Sequence, residues 1–275
     1  MSKYAPGKNE HKAKKALGQN FLVDGTVCPR IAEKAGIDGI GVLEIGPGFG
    51  ALTVELAKRA DKVVAVEIDT DVIPQLTENL KPYPNVTIVE GDAMKIDLMA
   101  LIRDHFGEGR VAIVGNLPYY ITSPLMMRFL EEHLPIESIT VMVQKEAGQR
   151  LCARPGTREC GAVSAAVWYY SKPAILFDVK PGAFRPQPKV TSSVIRLQVL
   201  GSPSVGVVSE ERFFAVVRAA FGQRRKTAVN AMSSLLGLPK EAILSAVSAT
   251  GLPESVRAEQ ITMEGFASIT NALYR

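Results

Sequence analysis

Along the first two thirds of the chain, short β-branched runs alternate with longer segments whose apolar positions recur every three or four residues. The runs at 42–45, 62–68, 86–90, 111–115 and 139–144 predict strands, and the segments 52–60, 71–80 and 124–133 predict helices between them. This alternation predicts an α/β domain with a mainly parallel sheet. Two more strand-like runs, at 174–179 and 193–200, flank the proline-rich segment 181–188. They predict an antiparallel addition at the sheet edge. Beyond Leu200 the pattern is helical only, over 210–221, 225–236, 240–249 and 263–273. Residues 201–206, Gly-Ser-Pro-Ser-Val-Gly, read as a linker. The expected organisation is a basic arm over 1–20, an α/β domain over 21–201 and a small all-helical domain over 202–275.

At 275 residues the chain can bury one full core and a smaller one. Its net charge of +4 is unevenly placed: the first twenty residues hold five lysines against one acid, while residues 21–200 are slightly acidic. Basic ends on a near-neutral body suit a polyanionic partner, because lysine and arginine release counterions on meeting phosphates. A merely solvating tail is the competing reading of the arm. No apolar run is long enough to span a bilayer, and the N-terminal lysines precede no signal-like core, so no membrane role is expected. Cys28, Cys152 and Cys160 form no CxxC pair and no even framework. They read as free thiols in a reducing cytoplasm, and no metal site is expected.

Candidate chemistry begins where the first strand ends. Glu44-Ile-Gly-Pro-Gly-Phe-Gly50 places glycines 46, 48 and 50 in a strand-to-helix turn, where the backbone can bend sharply and approach a ligand. Dinucleotide enzymes use a related loop, so the glycines alone do not choose a ligand. The acids that follow narrow the choice. Glu67 ends the second strand, where a carboxylate accepts ribose hydroxyls, and Asp92 ends the third, where one accepts from an adenine amine. Asp92 also has the simpler reading of a strand-end cap. Three successive strand-end acids suit a ligand with ribose and adenine but no phosphates, and they would repel a pyrophosphate. That favours S-adenosyl-L-methionine over NAD.

The fourth strand runs into Asn116-Leu117-Pro118-Tyr119. Adenine N6 is a poor nucleophile because its lone pair is delocalised into the ring. The Asn116 side-chain carbonyl, with a backbone carbonyl of the rigid Leu117-Pro118 unit, can accept both N6 hydrogens and turn that lone pair out of the plane. Tyr119 offers a stacking face for the extruded base, worth ~1–3 kcal/mol. No general base is required, since the methylated nitrogen sheds its proton readily. Phe184, among the prolines, is a candidate second face, with a core phenylalanine as the alternative.

Together with Gly18-Gln-Asn-Phe-Leu22, Glu67-Ile-Asp69, Gly91-Asp-Ala93, Gln144-Lys-Glu146, Pro188-Lys-Val190 and Phe221-Gly-Gln-Arg-Arg-Lys-Thr227, these motifs closely resemble the KsgA-type ribosomal RNA adenine N6-dimethyltransferases over nearly the whole chain. The resemblance implies a Rossmann-like S-adenosylmethionine-dependent methyltransferase sheet with a small C-terminal all-helical domain. It also implies an enzyme acting on two adjacent adenosines near the 3′ end of 16S rRNA, within immature 30S subunits; a monomer is expected, though no feature of the sequence reveals the oligomeric state. Cofactor contacts are implied from Asn20, Leu22, Gly46, Glu67, Asp92 and Asn116, and a basic cluster for RNA phosphates from Arg224, Arg225 and Lys226. Lys145, Arg150, Arg154 and Arg158 extend that cluster or form a solvated face. Cys160-Gly161 stands where the family often has Tyr-Gly, and Ala228 where a larger apolar residue is usual. Two alternatives remain: an Erm-like enzyme acting on 23S rRNA, and a mainly non-enzymatic 30S assembly factor. Leu117, where the Erm-like sister group more often has isoleucine, argues against the first, as do Gln144-Lys-Glu146 and the helical tail. A DNA adenine methyltransferase is disfavoured because such enzymes usually carry proline in place of Leu117.

Overall fold

The computed structural model describes Lys14, residues 19–223 and residues 225–275. Contacts divide the chain into two compact units, one running up to Gly148 and including Ala174–Val199, the other formed by Gln149–Pro173 and Leu200–Arg275.

In chain order the elements begin with strand β1 (Phe21–Leu22), helix α1 (Val27–Ala35), β2 (Gly41–Ile45) and α2 (Ala51–Ala57). They continue with β3 (Lys62–Glu67), α3 (Ile73–Leu80), β4 (Val86–Glu90) and α4 (Leu98–Phe106). Next come β5 (Val111–Asn116), α5 (Thr122–Glu131), β6 (Ser138–Gln144), α6 (Lys145–Cys152) and α7 (Ala162–Tyr170). Strands β7 (Ser171–Val179), β8 (Phe184–Arg185) and β9 (Ser192–Val199) precede the helices α8 (Glu210–Phe221), α9 (Ala228–Leu236), α10 (Lys240–Ser248) and α11 (Met263–Leu273).

The main sheet has seven strands in the order β4-β3-β2-β5-β6-β9-β7. The first five are parallel, and β9 runs antiparallel to β6 with Ser138 opposite Gln198. Helices covering both faces of a parallel sheet leave its central strands dry, so they read as unbroken apolar runs. Val42, Leu43, Val63, Val64, Ala112 and Ile113 are all fully buried. The late strands join at the edge expected of them, with β9 seated between β6 and β7.

In the second unit, Tyr169 and Tyr170 of α7 pack on Phe213 and Phe214 of α8, with ring centroids 4.9–5.5 Å apart. The Tyr170 hydroxyl donates to Glu210 at 2.6 Å. This packing groups Gln149–Pro173 with the C-terminal helices, so the chain is not divided by one cut near residue 202. Helix α7 is apolar nearly all round, which suits a helix buried inside a helical core.

Candidate active site

Strands β2 and β5 end side by side, with Ile45 opposite Gly115. From there the chain continues to β3 on one flank and to β6 on the other. Such a switch point is where open α/β sheets bind ligands. Gly115 permits the close approach, because a Cβ there would stand 2.7 Å from the Ile45 carbonyl oxygen. In the turn after β2, Gly46, Gly48 and Gly50 have φ of 71°, 56° and 86°, a left-handed run that glycine adopts without strain.

Around this turn lies a cavity whose walls include Asn20, Leu22, Glu44, Gly46, Glu67, Asn116, Leu117 and Tyr119. Its enclosed volume is about 100 Å³, below the ~300 Å³ at the lower end for small-molecule pockets. The lining therefore accounts for only part of the surface of a nucleoside-sized ligand. Glu67 stitches the strand end to the turn: one carboxylate oxygen accepts the Gly48 N–H at 2.9 Å and the other the Asp69 N–H at 2.8 Å. Burial pushes the Glu67 carboxyl above its ordinary value, against those two bonds. Glu44 is 1% exposed, and its Oε2 has no hydrogen-bond partner among the described residues. Burial, aided by the charge of Glu67, pushes it up to about 8.

Lys14, Gln19 and Asn20, ahead of β1, bond beside this site. Asp69 accepts from the Lys14 ammonium and from the Gln19 amide, each at 2.6 Å, and Lys14 also pairs with Asp71 at 2.6 Å. Burial opposes the Asp69 charge, but the bonds from Lys14 and Gln19 outweigh it and hold the carboxyl below its usual value. The Asn116 amide nitrogen donates to the Asn20 carbonyl at 3.1 Å. Only the NH₂ end can face a carbonyl, so this bond fixes which way the side chain points. Tyr119 is anchored by its hydroxyl to Ser192 at 2.8 Å, and burial raises its phenol above the ordinary value.

The chain matches the family described as ribosomal RNA adenine dimethylase over residues 10–274. It belongs to that family. It is 47% identical to ribosomal RNA small subunit methyltransferase A of Alkaliphilus oremlandii over 97% of this chain and 93% of that protein. It is 48% identical to the protein of the same name from Bacillus mycoides, over 94% and 91%. Among solved structures, the 23S rRNA methyltransferase ErmE is 27% identical with a TM-score of 0.73, covering 93% of this chain and all of that one. A dimethyladenosine transferase from Plasmodium falciparum, 24% identical over 90% of this chain and 95% of that one with a TM-score of 0.73, shares the fold. Family membership makes the chain an rRNA adenine methyltransferase on a Rossmann-like sheet.

Asn20, Leu22, Gly46, Glu67, Asn116, Leu117 and Tyr119 thus meet at one cavity, and two expected residues stand apart from it. The Asp92 carboxylate is outside the lining and accepts the Met94 N–H at 2.9 Å, the capping role that was its simpler reading. Phe184 is fully buried in the core cluster, the arrangement of its alternative reading as a core phenylalanine. The reason is that Leu22 of β1 pairs with it across a two-stranded ladder.

Of the basic cluster, Arg225 and Lys226 are exposed ahead of α9, whereas Arg224 and most of the 1–20 arm lie outside the described residues. Lys145 is paired with Asp178 at 2.6 Å. Sequence reasoning missed Arg128, on α5. Its guanidinium donates to the carbonyls of Ala93 and, at 2.6 Å, Ile96, and it pairs with Glu132. The only local signal was the Arg128–Glu132 spacing of four on a helix.

Among the described residues, no helix is long and apolar enough to cross a membrane, and no group of three or more His, Cys, Asp or Glu is arranged to hold a metal ion.

Proposed function

We propose that this chain uses S-adenosyl-L-methionine to dimethylate N6 of two adjacent adenosines near the 3′ end of 16S rRNA. It does so as a cytoplasmic monomer acting on immature 30S subunits. The observation that carries the reading is the Asn116–Asn20 hydrogen bond at the rim of the glycine-turn cavity. With its NH₂ end committed to Asn20, Asn116 keeps its side-chain carbonyl to accept from an amine. Within the next two residues, the Pro118 carbonyl already accepts from the Ile121 N–H at 3.2 Å and the Thr122 hydroxyl at 3.3 Å. The Leu117 carbonyl is left as the second acceptor, so one N6 amine meets two acceptors and its lone pair is directed out of the ring plane. The raised phenol of Tyr119 keeps its proton at neutral pH and serves as a stacking face rather than a base.

The donor set suits the proposed cofactor. Glu44 is buried at the cavity wall with its Oε2 unpartnered among the described residues; with its carboxyl pushed up to about 8 it is a neutral acid at neutral pH, able to hydrogen-bond a polar ligand group. Glu67 would hold the ribose hydroxyls, Asn20, Leu22 and Gly46 the adjoining wall, and Asp92, outside that wall, the adenine amine of the part of the ligand that extends beyond it. When bound, the sulfonium supplies the electrophilic methyl group. Arg225 and Lys226 would meet RNA phosphates.

The test is to incubate the protein with labelled S-adenosylmethionine and small subunits lacking these methyl groups. Dimethyladenosine in 16S rRNA is expected. Label in 23S rRNA would move the substrate to the ErmE-like assignment, and label in neither would refute the reading. Unchanged subunit binding by Asn116→Ala with lost methylation would separate catalysis from an assembly role.

A further inference from the structure

The second unit contains a cleft of its own, about 220 Å³ in volume. Pro155 and Met263, both buried, form part of its wall, and Trp168 lines it while remaining only half-buried. The indole N–H donates to the Cys152 carbonyl at 3.4 Å, which holds the ring in place. Arg154 and Lys172 stand exposed at the same cleft, and neither forms an ion pair among the described residues. Glu264 is its one acid, in the first turn of α11, where the helix dipole favours a carboxylate. The cleft thus combines an oriented aromatic ring, an apolar wall and two unmatched cations against one acid.

That combination fits a single-stranded nucleotide, whose base stacks on an aromatic face and whose phosphates meet lysine and arginine. An acidic peptide would satisfy the cations and leave the ring unused. We propose that the Trp168 cleft is a subsite for one unpaired nucleotide of the RNA substrate, a reading that rests on the RNA-methylating function proposed above. It would hold the substrate away from the reacting adenosine and so contribute to affinity rather than to the chemical step.

Trp168 is the chain's one tryptophan, so its fluorescence reports on this cleft alone. Titrating the full chain with a short oligo(U) is expected to quench that emission saturably, whereas S-adenosylmethionine leaves it unchanged. In the Arg154→Glu/Lys172→Glu variant, whose changes lie on exposed side chains, the quenching is expected to disappear. Matched titrations of Arg154→Ala/Lys172→Ala with a labelled oligo(U) should show a salt dependence of log K shallower by about 1.4, at ~0.7 for each phosphate that is no longer neutralised. Trp168→Ala is expected to bind the labelled oligonucleotide roughly 5- to 150-fold more weakly, the range of base–aromatic stacking, with Trp168→Phe recovering part of the loss.

Oligonucleotide binding that leaves Trp168 emission unchanged would overturn the proposal. So would quenching by ribosomal protein but not by RNA, which would make the cleft a protein-docking site. Normal 16S methylation without quenching would refute this subsite alone. Quenching without methylation would support the subsite and refute the catalytic reading.

Discussion

Replacing Glu44 with glutamine keeps the size and hydrogen-bonding capacity of the side chain while removing its ability to ionise. In the wild type, burial raises this carboxyl from 4.5 to about 8. Below pH 4.5 the folded and unfolded chains both carry the proton, and Glu44 adds no pH dependence. Between 4.5 and about 8 the unfolded chain has released the proton and the folded chain has kept it, so stability falls as pH rises. Above 8 the folded carboxyl ionises too, and the accumulated penalty stays constant. Each pH unit of that window is worth ~1.36 kcal/mol, giving a total of about 5 kcal/mol. Urea unfolding of the ligand-free proteins at steps from pH 5 to 9 measures this directly. Glu44→Gln should gain on the wild type by about 1.4 kcal/mol per pH unit and level off near 5 kcal/mol above pH 8. A constant offset between the two curves would refute the reasoning, because it would mean that Glu44 ionises as freely in the fold as outside it.

Three further outcomes follow from the hydrogen bonds at the site. Asn116→Ala removes one of two amine acceptors and is expected to lower kcat by ~10²–10³, the cost of losing one such group, with S-adenosylmethionine affinity measured in parallel by calorimetry; an unchanged kcat would exclude Asn116 from the chemistry. Arg128→Lys cannot donate in a fork to both Ala93 and Ile96, so the loop carrying Asp92 loosens. A stranded carbonyl costs ~1–3 kcal/mol, and the expected result is weaker cofactor binding with kcat at saturation little changed; equal loss of kcat with unaltered cofactor Kd would contradict it. Asp69→Asn breaks the charged bond to Lys14, whose exposed ammonium is screened by solvent, so the loss is small. Cofactor KM should rise several-fold and the N-terminal segment should be cut faster by protease, and a variant as resistant as the wild type would show that the bond does not hold the segment.

Periodicity and motif position made the sheet legible because its central strands are buried on both faces and the glycine turn has a backbone requirement visible in composition. What stayed hidden depends on partners far along the chain. Phe184, set among prolines, has the sequence context of an exposed aromatic, but Leu22, some 160 residues earlier, pairs with it and helps bury it. Asp69 was visible only as part of a motif, since its donors Lys14 and Gln19 lie 55 and 50 positions away. Asp92 carries two signals at once, a strand-end acid and an Asx turn, and the local bond to Met94 is the one the structure displays. Helix α7 could not be assigned to a unit from its pattern, because an apolar surface all round names no particular neighbour.

The short segment 19–22 explains why cofactor lining and catalytic loop act as one device. Its side chains and backbone reach in three directions: Gln19 to Asp69 beyond β3, the Asn20 carbonyl to Asn116 at the end of β5, and Leu22 to Phe184 in β8. Phe21 adds a ring contact with Phe49 of the glycine turn at 4.9 Å. Asp69, Asn116 and Phe184, which a sequence reading treats as separate, are therefore all met by one stretch of chain. Displacing that stretch would reopen the cavity wall and free the Asn116 amide at the same time. An enzyme that must hold an N6 amine in line with a bound methyl donor needs these two events coupled, because a correctly turned acceptor without a seated donor does no chemistry. The segment's anchors are of two kinds: Gln19 and Asn20 bond through polar, part-buried groups, whereas Leu22 is buried with Phe184 in the apolar core. The polar bonds are the ones that break at little cost, while Leu22 stays packed with the scaffold that sets the geometry.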